Sequence, residues 1–316
     1  IFESKLKDTN PRVKIMKFVV TGGAGFIGSH LTNLLVSLGH SVSVIDNMYR
    51  GKIENLSALM DKIKLYKIDI LDFANLKDIL KDSDGVFHQA ALTSVTESFT
   101  QNQRYYDVNV IGTENIFKIA SNYEIKVVYA SSSSVYGNPT KIPISEDFQR
   151  NPINPYGNTK LEDEKLAEKF YKGGAKIIGL RYFNVFGPRQ NPDYAGVITK
   201  FNESLKKNLP PVIFGDGTQI RDFISVQDVA KANLLAMQSS YDFGFLNIGT
   251  GVPTSINELA KTMIYLSGKP MNLVHDRLPE GDVKSSQADT SLAKKMISWN
   301  YDTPLEVGLK KFFFDS

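Results

Sequence analysis

The chain has 316 residues, 42% of them hydrophobic, and a formal net charge of only +3. This length favours one large α/β domain with a smaller second domain, and the nearly balanced charge gives no indication of a nucleic acid or a membrane surface as a partner. The absence of cysteine excludes disulfide bonds, thiolate metal sites and a cysteine nucleophile. Because no apolar run is long enough to span a bilayer, we expect a cytoplasmic protein.

Apolar segments of strand length alternate with segments of helical periodicity up to residue 183. The predicted strands cover residues 17–21, 42–45, 65–68, 85–88, 126–130 and 176–181. The predicted helices cover residues 26–38, 71–80, 108–120 and 162–171. This alternation is typical of a parallel sheet with helices on both faces. The predicted fold class is therefore α/β, with a Rossmann-type doubly wound parallel sheet.

The regular alternation ends after Asn184, and the following segment contains four prolines: Pro188, Pro192, Pro210 and Pro211. We predict that residues 16–183 and about 220–248 form the Rossmann domain. Residues from about 184–219 and 249–316 are predicted to form a smaller, C-terminal mixed α/β domain. Residues 1–15 are expected to be an extension ahead of a start at Met16.

A glycine-rich segment, Thr21 to Gly28, lies between the first predicted strand and the first predicted helix. Glycines at positions 22, 25 and 28 permit a tight turn, a close approach of backbone to a pyrophosphate and close packing of helix on strand. The start of the helix then offers N–H groups to the phosphates. Asp46, at the end of the second strand, is placed to bind the adenosine ribose, and its charge favours NAD over NADP.

A tyrosine and a lysine stand four residues apart at Tyr156 and Lys160, so both project from one face of a helix. The pair follows a run of serines, Ser131–Ser134, that ends a predicted strand. A neighbouring ammonium and an oxidised nicotinamide favour the ionised form of a phenol. Tyr156 is therefore predicted to exchange a proton with a substrate hydroxyl, while a serine hydroxyl binds the same oxygen.

In combination, these motifs resemble the extended short-chain dehydrogenase/reductase superfamily, and within it the UDP-hexose 4-epimerases. The resemblance runs from Met16 almost to the end of the chain. Further motifs that carry it are His88-Gln89-Ala90-Ala91, Asn109, Val135-Tyr136-Gly137, Arg181 to Pro188, Arg221-Asp222-Phe223 and Asn247 to Gly251. The resemblance implies that Ser132, three residues before the Val-Tyr-Gly triplet, is catalytic together with Tyr156 and Lys160.

The resemblance also implies a tightly held NAD. Its expected binding residues are Gly22, Gly25, Phe26, Ile27, Gly28, Asp46, Asn47, Asp69, Ile70, Gln89, Ala90, Ala91, Asn109, Tyr156, Lys160 and Tyr182. We interpret His88, at the end of the fourth strand, as a structural residue. No metal is expected, because the four histidines of the chain have no metal-ligand spacing.

Two positions in the serine run distinguish the reactions of the family. Nucleotide-sugar dehydratases carry acids at the positions occupied here by Ser133 and Ser134, and UDP-glucuronate decarboxylases carry a glutamate at the second. The absence of these acidic residues favours a 4-epimerase, which removes a hydride from C4 and returns it to the other face of a 4-keto sugar. The alternatives are a UDP-glucose 4-epimerase without N-acetyl activity, a UDP-glucuronate decarboxylase or 4-epimerase, a dehydratase, and a non-catalytic NAD-binding sensor.

Within the epimerases, the chain is most similar to those that act on UDP-N-acetylglucosamine. Ser286 occupies a position where a tyrosine excludes the N-acetyl group, so UDP-GlcNAc and UDP-GalNAc are expected substrates, with UDP-Glc and UDP-Gal expected as well. The predicted substrate-binding residues are Ser94, Ser132, Ser133, Ser134, Asn184, Val197, Phe214, Arg221, Arg277 and Ser286. The family's second diphosphate arginine is replaced by Pro279, and Arg277 is expected to supply that charge.

The family commonly forms dimers through two helices of each subunit, so a homodimer is expected. The candidate surface includes Tyr105, Tyr106 and residues 116–120, together with the helix that follows Tyr156.

Overall fold

A computed structural model describes residues 14–191, 196–277 and 283–314 of the chain. The strands are β1 (Lys17–Thr21), β2 (Ser41–Ile45), β3 (Ile63–Tyr66), β4 (Gly85–His88), β5 (Lys126–Ser132), β6 (Ile177–Tyr182), β7 (Asn184–Phe186), β8 (Val212–Phe214), β9 (Ile220–Arg221), β10 (Phe223–Ser225), β11 (Phe243–Ile248), β12 (Thr254–Ser255) and β13 (Val274–Asp276). The α-helices are α1 (Phe26–Ser37), α2 (Phe73–Leu80), α3 (Val95–Thr100), α4 (Asn102–Tyr105), α5 (Gly112–Asn122), α6 (Pro155–Lys172), α7 (Val197–Lys206), α8 (Val226–Gln238), α9 (Ile256–Ser267), α10 (Ser291–Ile297) and α11 (Leu305–Phe314).

Seven parallel strands form the central sheet, in the order β3-β2-β1-β4-β5-β6-β11. The order reverses at β1, because β2 lies on one side of it and β4 on the other. In doubly wound sheets, ligands bind beyond the carboxyl ends of the strands at such a reversal. The predicted α/β class with a Rossmann-type sheet is confirmed.

Both faces of the central sheet are covered by apolar packing. Phe18 and Val20 of β1 belong to one buried cluster, whereas Val19 belongs to another. This division follows from the alternation of side chains along a strand. Helices α1 and α8 pack together on the first face, and α5 and α6 pack together on the second.

The chain after β6 forms a smaller set of pairings. Strands β7 and β10 are parallel, β8 and β13 are parallel, and β9 and β12 are antiparallel. Helices α7, α9 and α11 contribute to a third apolar cluster, which includes Phe186, Phe201, Leu259 and Leu309. This arrangement follows the predicted change of pattern after Asn184, while the proposed domain boundaries stay a prediction.

Several element boundaries differ from those read from apolar periodicity. Strand β3 ends at Tyr66, because only residues 63–66 pair with β2. Helix α6 starts at Pro155, well ahead of its apolar pattern, because the side chain of Asn154 accepts a hydrogen bond from the N–H of Gly157. A π-helical segment, Tyr106–Ile111, precedes α5.

The surface expected for a homodimer is available only in part. Tyr105, Ile116 and Ala120 are buried in the subunit, with exposed fractions of 0%, 0% and 1%. They pack in the interior of the chain, so their assignment to a dimer face is wrong, whereas Tyr106 is 44% exposed. Within the described ranges, no helix combines the length and apolar character needed to cross a membrane.

A buried ion pair connects α6 to the sheet. The Arg181 guanidinium on β6 donates hydrogen bonds to both carboxylate oxygens of Glu164, each 2.8 Å long. Ser131 on β5 donates to the same carboxylate over 2.7 Å. Because Arg181 is 1% exposed and Glu164 is 0% exposed, this network fixes α6 against the ends of β5 and β6.

We predict that Arg181→Met lowers the free energy of unfolding by about 3–5 kcal/mol, because it leaves the Glu164 carboxylate buried without its main partner. Urea denaturation followed by circular dichroism measures this change. The matched control is Lys176→Met, which removes a largely exposed pair with Asp242 and should cost less than about 1 kcal/mol. Equal losses in the two variants would contradict this role for Arg181.

Candidate active site

The glycine-rich turn between β1 and α1 is shaped by close backbone contacts. A Cβ at Gly28 would lie 2.1 Å from the carbonyl oxygen of Gly22, and a Cβ at Gly22 would lie 2.7 Å from the backbone nitrogen of Ala90. Gly22 also has a φ of +67°, which L side chains rarely adopt. No described side chain caps the start of α1 at Gly25, so its first N–H groups remain available to an anion.

This turn forms one wall of a cleft of about 500 Å³ at the carboxyl end of the sheet. The predicted NAD residues that line it are Gly22, Gly25, Phe26, Ile27, Gly28, Asp46, Asn47, Asp69, Ile70, Gln89, Ala90, Ala91, Tyr156, Lys160 and Tyr182. The tight glycine turn, the available N–H groups and the position of the cleft fit a dinucleotide. The residues present are therefore suited to hold NAD.

Asp46 is oriented by the backbone that surrounds it. Its carboxylate accepts hydrogen bonds from the N–H groups of Ala24, over 3.0 Å, and Met48, over 2.9 Å. Burial raises the pKa of this carboxyl, and these two hydrogen bonds act in the opposite direction. The amide of Asn47 donates to Asp69 over 2.7 Å, which joins the segments that follow β2 and β3.

The three predicted catalytic residues, Ser132, Tyr156 and Lys160, line the same cleft. Ser132 is the last residue of β5, and its oxygen accepts a 2.8 Å hydrogen bond from the Ser134 hydroxyl. Because an accepting hydroxyl still has its own proton to donate, Ser132 can bind a substrate oxygen. Tyr156 and Lys160 lie one turn apart in α6.

Ser133 and Ser134, which are predicted to bind substrate, do not line the cleft, and their contact with substrate stays a prediction. The chain leaves β5 at Ser132 and enters a 3-10 turn, Ser133–Tyr136. The Ser134 hydroxyl donates a hydrogen bond to Ser132 and so helps to orient it. Sequence reasoning missed this supporting role, since adjacent serines carry no signal of which one faces the ligand.

Two further predicted site residues support the cleft without lining it. The amide of Asn109 is buried, accepts from Leu92 N–H over 2.8 Å, and donates to the Leu92 carbonyl and to Thr159. Ser94 accepts a hydrogen bond from Glu97 N–H at the start of α3. Both side chains hold local backbone, and their predicted roles in binding NAD and substrate stay predictions.

Tyr182 belongs to a hydrogen-bonded cluster at the cleft wall. Its hydroxyl accepts from the amide of Asn233 over 2.8 Å, and the Gln89 amide donates to Asn233 over 3.0 Å. Burial raises the pKa of the Tyr182 phenol, so it stays neutral. Asn233 lies in the middle of α8 and was not predicted, because an isolated helical asparagine gives no sequence signal.

His88 lies beneath the glycine-rich turn and lines neither cavity. Its two ring nitrogens lie 2.7 Å from the Thr21 hydroxyl and 2.9 Å from the Thr113 hydroxyl. Burial, aided by the charge of Lys160, lowers the pKa of His88 to about 3. A neutral, doubly hydrogen-bonded ring fits its interpretation as a structural residue.

A second cavity, of about 300 Å³, adjoins the cleft. Val185 and Gln190 line both. The predicted substrate residues that line the second cavity are Asn184, Val197, Phe214 and Arg221. An arginine and an amide beside apolar side chains suit a ligand with a phosphate and a flat ring.

The carboxylate of Asp222 holds together the segments around Arg221. It accepts hydrogen bonds from the N–H groups of Thr250, Gly251 and Ala288, over 2.7, 2.8 and 3.0 Å. Asp222 is 0% exposed, so these bonds position the backbone rather than a ligand. The sequence motif included Asp222 but did not indicate this role.

The structure does not bring Arg277 or Ser286 to either cavity. Arg277 follows β13 and is exposed, and its N–H donates to Asp276. Ser286 is 8% exposed, and its N–H donates to the Ile220 carbonyl, which ties it to β9. Pro279, at the position of the expected second arginine, lies outside the described residues.

Comparison with known proteins identifies strong similarities. The family described as "NAD dependent epimerase/dehydratase family" matches residues 18–249. UDP-glucose 4-epimerase from Thermotoga maritima, solved with UDP-glucose, is 37% identical, with a TM-score of 0.90 and coverage of 95% of this chain and 99% of that chain. UDP-N-acetylglucosamine 4-epimerase from Methanobrevibacter ruminantium M1, solved with UDP-N-acetylmuramic acid, is 38% identical, with a TM-score of 0.91 and coverage of 96% and 99%. UDP-N-acetyl-alpha-D-glucosaminuronate decarboxylase from Bacillus cytotoxicus is 34% identical over 93% of this chain and 95% of its own length.

We predict that Gly28→Ala weakens NAD binding at least about tenfold, because the added methyl group forces the turn away from the helix that meets the pyrophosphate. Isothermal titration of NAD into cofactor-free protein measures the affinity. The control is Gly39→Ala, beyond the far end of α1, where φ is +84° and a Cβ meets no atom within 4 Å. This variant loses stability through backbone strain but should bind NAD normally, and equal affinities in the two variants would refute the steric argument.

Proposed function

We propose that this chain, which belongs to the NAD dependent epimerase/dehydratase family, is a UDP-hexose 4-epimerase. Its proposed substrates include both N-acetylated and plain UDP-sugars. The observation that carries this proposal is the convergence of Ser132, Tyr156 and Lys160 on one cleft with the glycine-rich turn. A second cavity that contains Arg221 adjoins this cleft and suits the UDP half of a substrate.

The proposed chemistry uses three side chains at C4 of the hexose. Tyr156 takes the proton of the C4 hydroxyl, and Lys160 favours the phenolate through its positive charge. The Ser132 hydroxyl donates a hydrogen bond to the same oxygen as it becomes a carbonyl. NAD, when bound, supplies a reversible acceptor for the hydride of C4. Tyr156 then returns the proton after the sugar has presented its other face.

The residues after Ser132 support epimerisation over elimination or decarboxylation. Ser133 and Ser134 occupy positions where dehydratases and decarboxylases carry acids, and both lie outside the cleft. The similarity to a decarboxylase from Bacillus cytotoxicus favours the second candidate, a reaction on a UDP-uronate. Acceptance of an N-acetyl group is supported by the similarity to a UDP-N-acetylglucosamine 4-epimerase.

The test is a panel of UDP-GlcNAc, UDP-glucose and UDP-glucuronate, each incubated with the purified protein and resolved by chromatography. We expect UDP-GalNAc from the first and UDP-galactose from the second. Formation of UDP-xylose would instead identify a decarboxylase, and UDP-galacturonate a uronate epimerase. No conversion of any of the three would overturn the proposal.

We predict that Tyr156→Phe lowers kcat by about 10²–10⁴-fold, because it removes the proton-transfer group, and leaves NAD bound. Turnover on the best substrate of the panel and the NAD content of the purified protein measure both effects. Tyr171→Phe is the control, since this tyrosine lies on the same helix, is 46% exposed and stacks on Phe243. Full turnover by Tyr156→Phe would contradict the role of Tyr156 in proton transfer. Unchanged biological activity of this variant without turnover would instead indicate a non-catalytic NAD-binding sensor.

A further inference from the structure

A buried carboxylate lies next to Lys160 and has no role in the chemistry above. Asp163 Oδ2 is 3.1 Å from Lys160 Nζ, one helical turn further along α6. The side chains are 0% and 3% exposed, respectively, so water screens the pair little. Ion pairs with the same spacing on a helix surface contribute little to stability, so burial is what gives this pair its importance.

Neighbouring groups do not take over the role of Asp163. Glu164, the next residue, is already bound by Arg181 and Ser131. His88 faces Lys160 from β4 but is neutral, because burial and the Lys160 charge lower its pKa to about 3. The Asp163 carboxylate is thus the group in hydrogen-bond contact with Lys160 that can balance its charge.

We propose that Asp163 is a positioning residue that keeps Lys160 protonated and fixed beside Tyr156, and thereby sets the alkaline limit of the reaction. This inference rests on the proposed function for its kinetic part. The physical reason is that a buried lysine without a counter-ion releases its proton more readily than one in water. A neutral Lys160 could not favour the phenolate form of Tyr156.

The titration of Asp163 itself fits this role. Burial raises the pKa of Asp163 to about 7, and the charge of Lys160 opposes that increase. The carboxylate is therefore ionised in the alkaline range, where Lys160 most needs a counter-ion. Its Oδ1 has no hydrogen bond of ordinary geometry, although the Thr113 hydroxyl is close enough to favour ionisation. The other titratable groups around the pair are Glu164, His88, Tyr129 and Tyr156.

Asp163→Asn tests the kinetic part, because it removes the charge and keeps the shape. In this variant the alkaline limb of the kcat–pH profile should move at least about one unit towards lower pH. The matched control is Glu162→Gln, which removes an exposed pair with Lys165 at the same spacing on the same helix. The control profile should not move, and an unshifted alkaline limb in Asp163→Asn would overturn the proposal.

Thermal unfolding of the cofactor-free protein gives a second readout that needs no activity. In the wild type, the folded pKa of Asp163 exceeds the unfolded value, so this carboxyl costs stability progressively from about pH 4 to pH 7. In Asp163→Asn that loss is absent. Lys160, buried without a counter-ion in this variant, also releases its proton at a lower pH than the same lysine in the unfolded chain. This difference increases the stability of the variant at higher pH. The Tm of the variant relative to wild type should therefore rise steadily from pH 5 to about pH 10.

A constant offset in Tm from pH 7 to about pH 10 would mean that Asp163 does not control the charge of Lys160, and would overturn the proposal. Should Asp163→Asn not fold, the double variant Lys160→Met/Asp163→Asn should fold, because it leaves no buried charge. Failure of both variants to fold would overturn the proposal. If the wild type converts no UDP-hexose, the proposed function fails, whereas the unfolding measurements still decide whether Asp163 controls the charge of Lys160.

Discussion

The backbone at the start of α1 approaches the turn before it so closely that no side chain fits between them. Gly28 lies against the carbonyl of Gly22, and Gly22 lies against the backbone of Ala90, two residues beyond the end of β4. This contact brings the first turn of α1 to the edge of the sheet where the strand order reverses. The cleft exists at this place because three backbone segments meet without intervening side chains.

The wall of the cleft that contains Tyr156 and Lys160 depends on buried polar groups that do not line the cleft. Glu164 and Arg181 fix α6 to the sheet, and Asn109 joins the backbone at Leu92 to Thr159 in α6. Together they hold Tyr156 and Lys160 opposite the end of β5. A buried polar group that loses its hydrogen-bond partner raises the free energy of the folded state. Any shift of α6 that separates these partners is therefore unfavourable, and the network holds the helix in one position.

Electrostatics then distinguishes groups that look alike in the sequence. Asp163 and Glu164 are adjacent buried carboxylates, but one pairs with Lys160 and the other with Arg181. The first stands beside a proposed catalytic group and the second belongs to the framework. His88 is likewise close to the cleft yet neutral, because burial and the charge of Lys160 both lower its pKa. The role of each buried carboxylate therefore depends on the cationic side chain with which it pairs.

The fold class, the glycine-rich turn and most of the residues that line the cleft around it could be predicted from the amino-acid sequence. These signals are local: glycine spacing, apolar periodicity and a Tyr-Lys pair on one helical face depend on chain geometry over a few residues. The folded structure was needed to show that Ser132 lines the cleft while Ser133 and Ser134 do not, and that Asn109 and Ser94 hold backbone. It also placed Asn233 beside Tyr182, and Asp163 out of water against Lys160. Those assignments depend on burial and on contacts between distant elements, and a linear pattern carries no information about either.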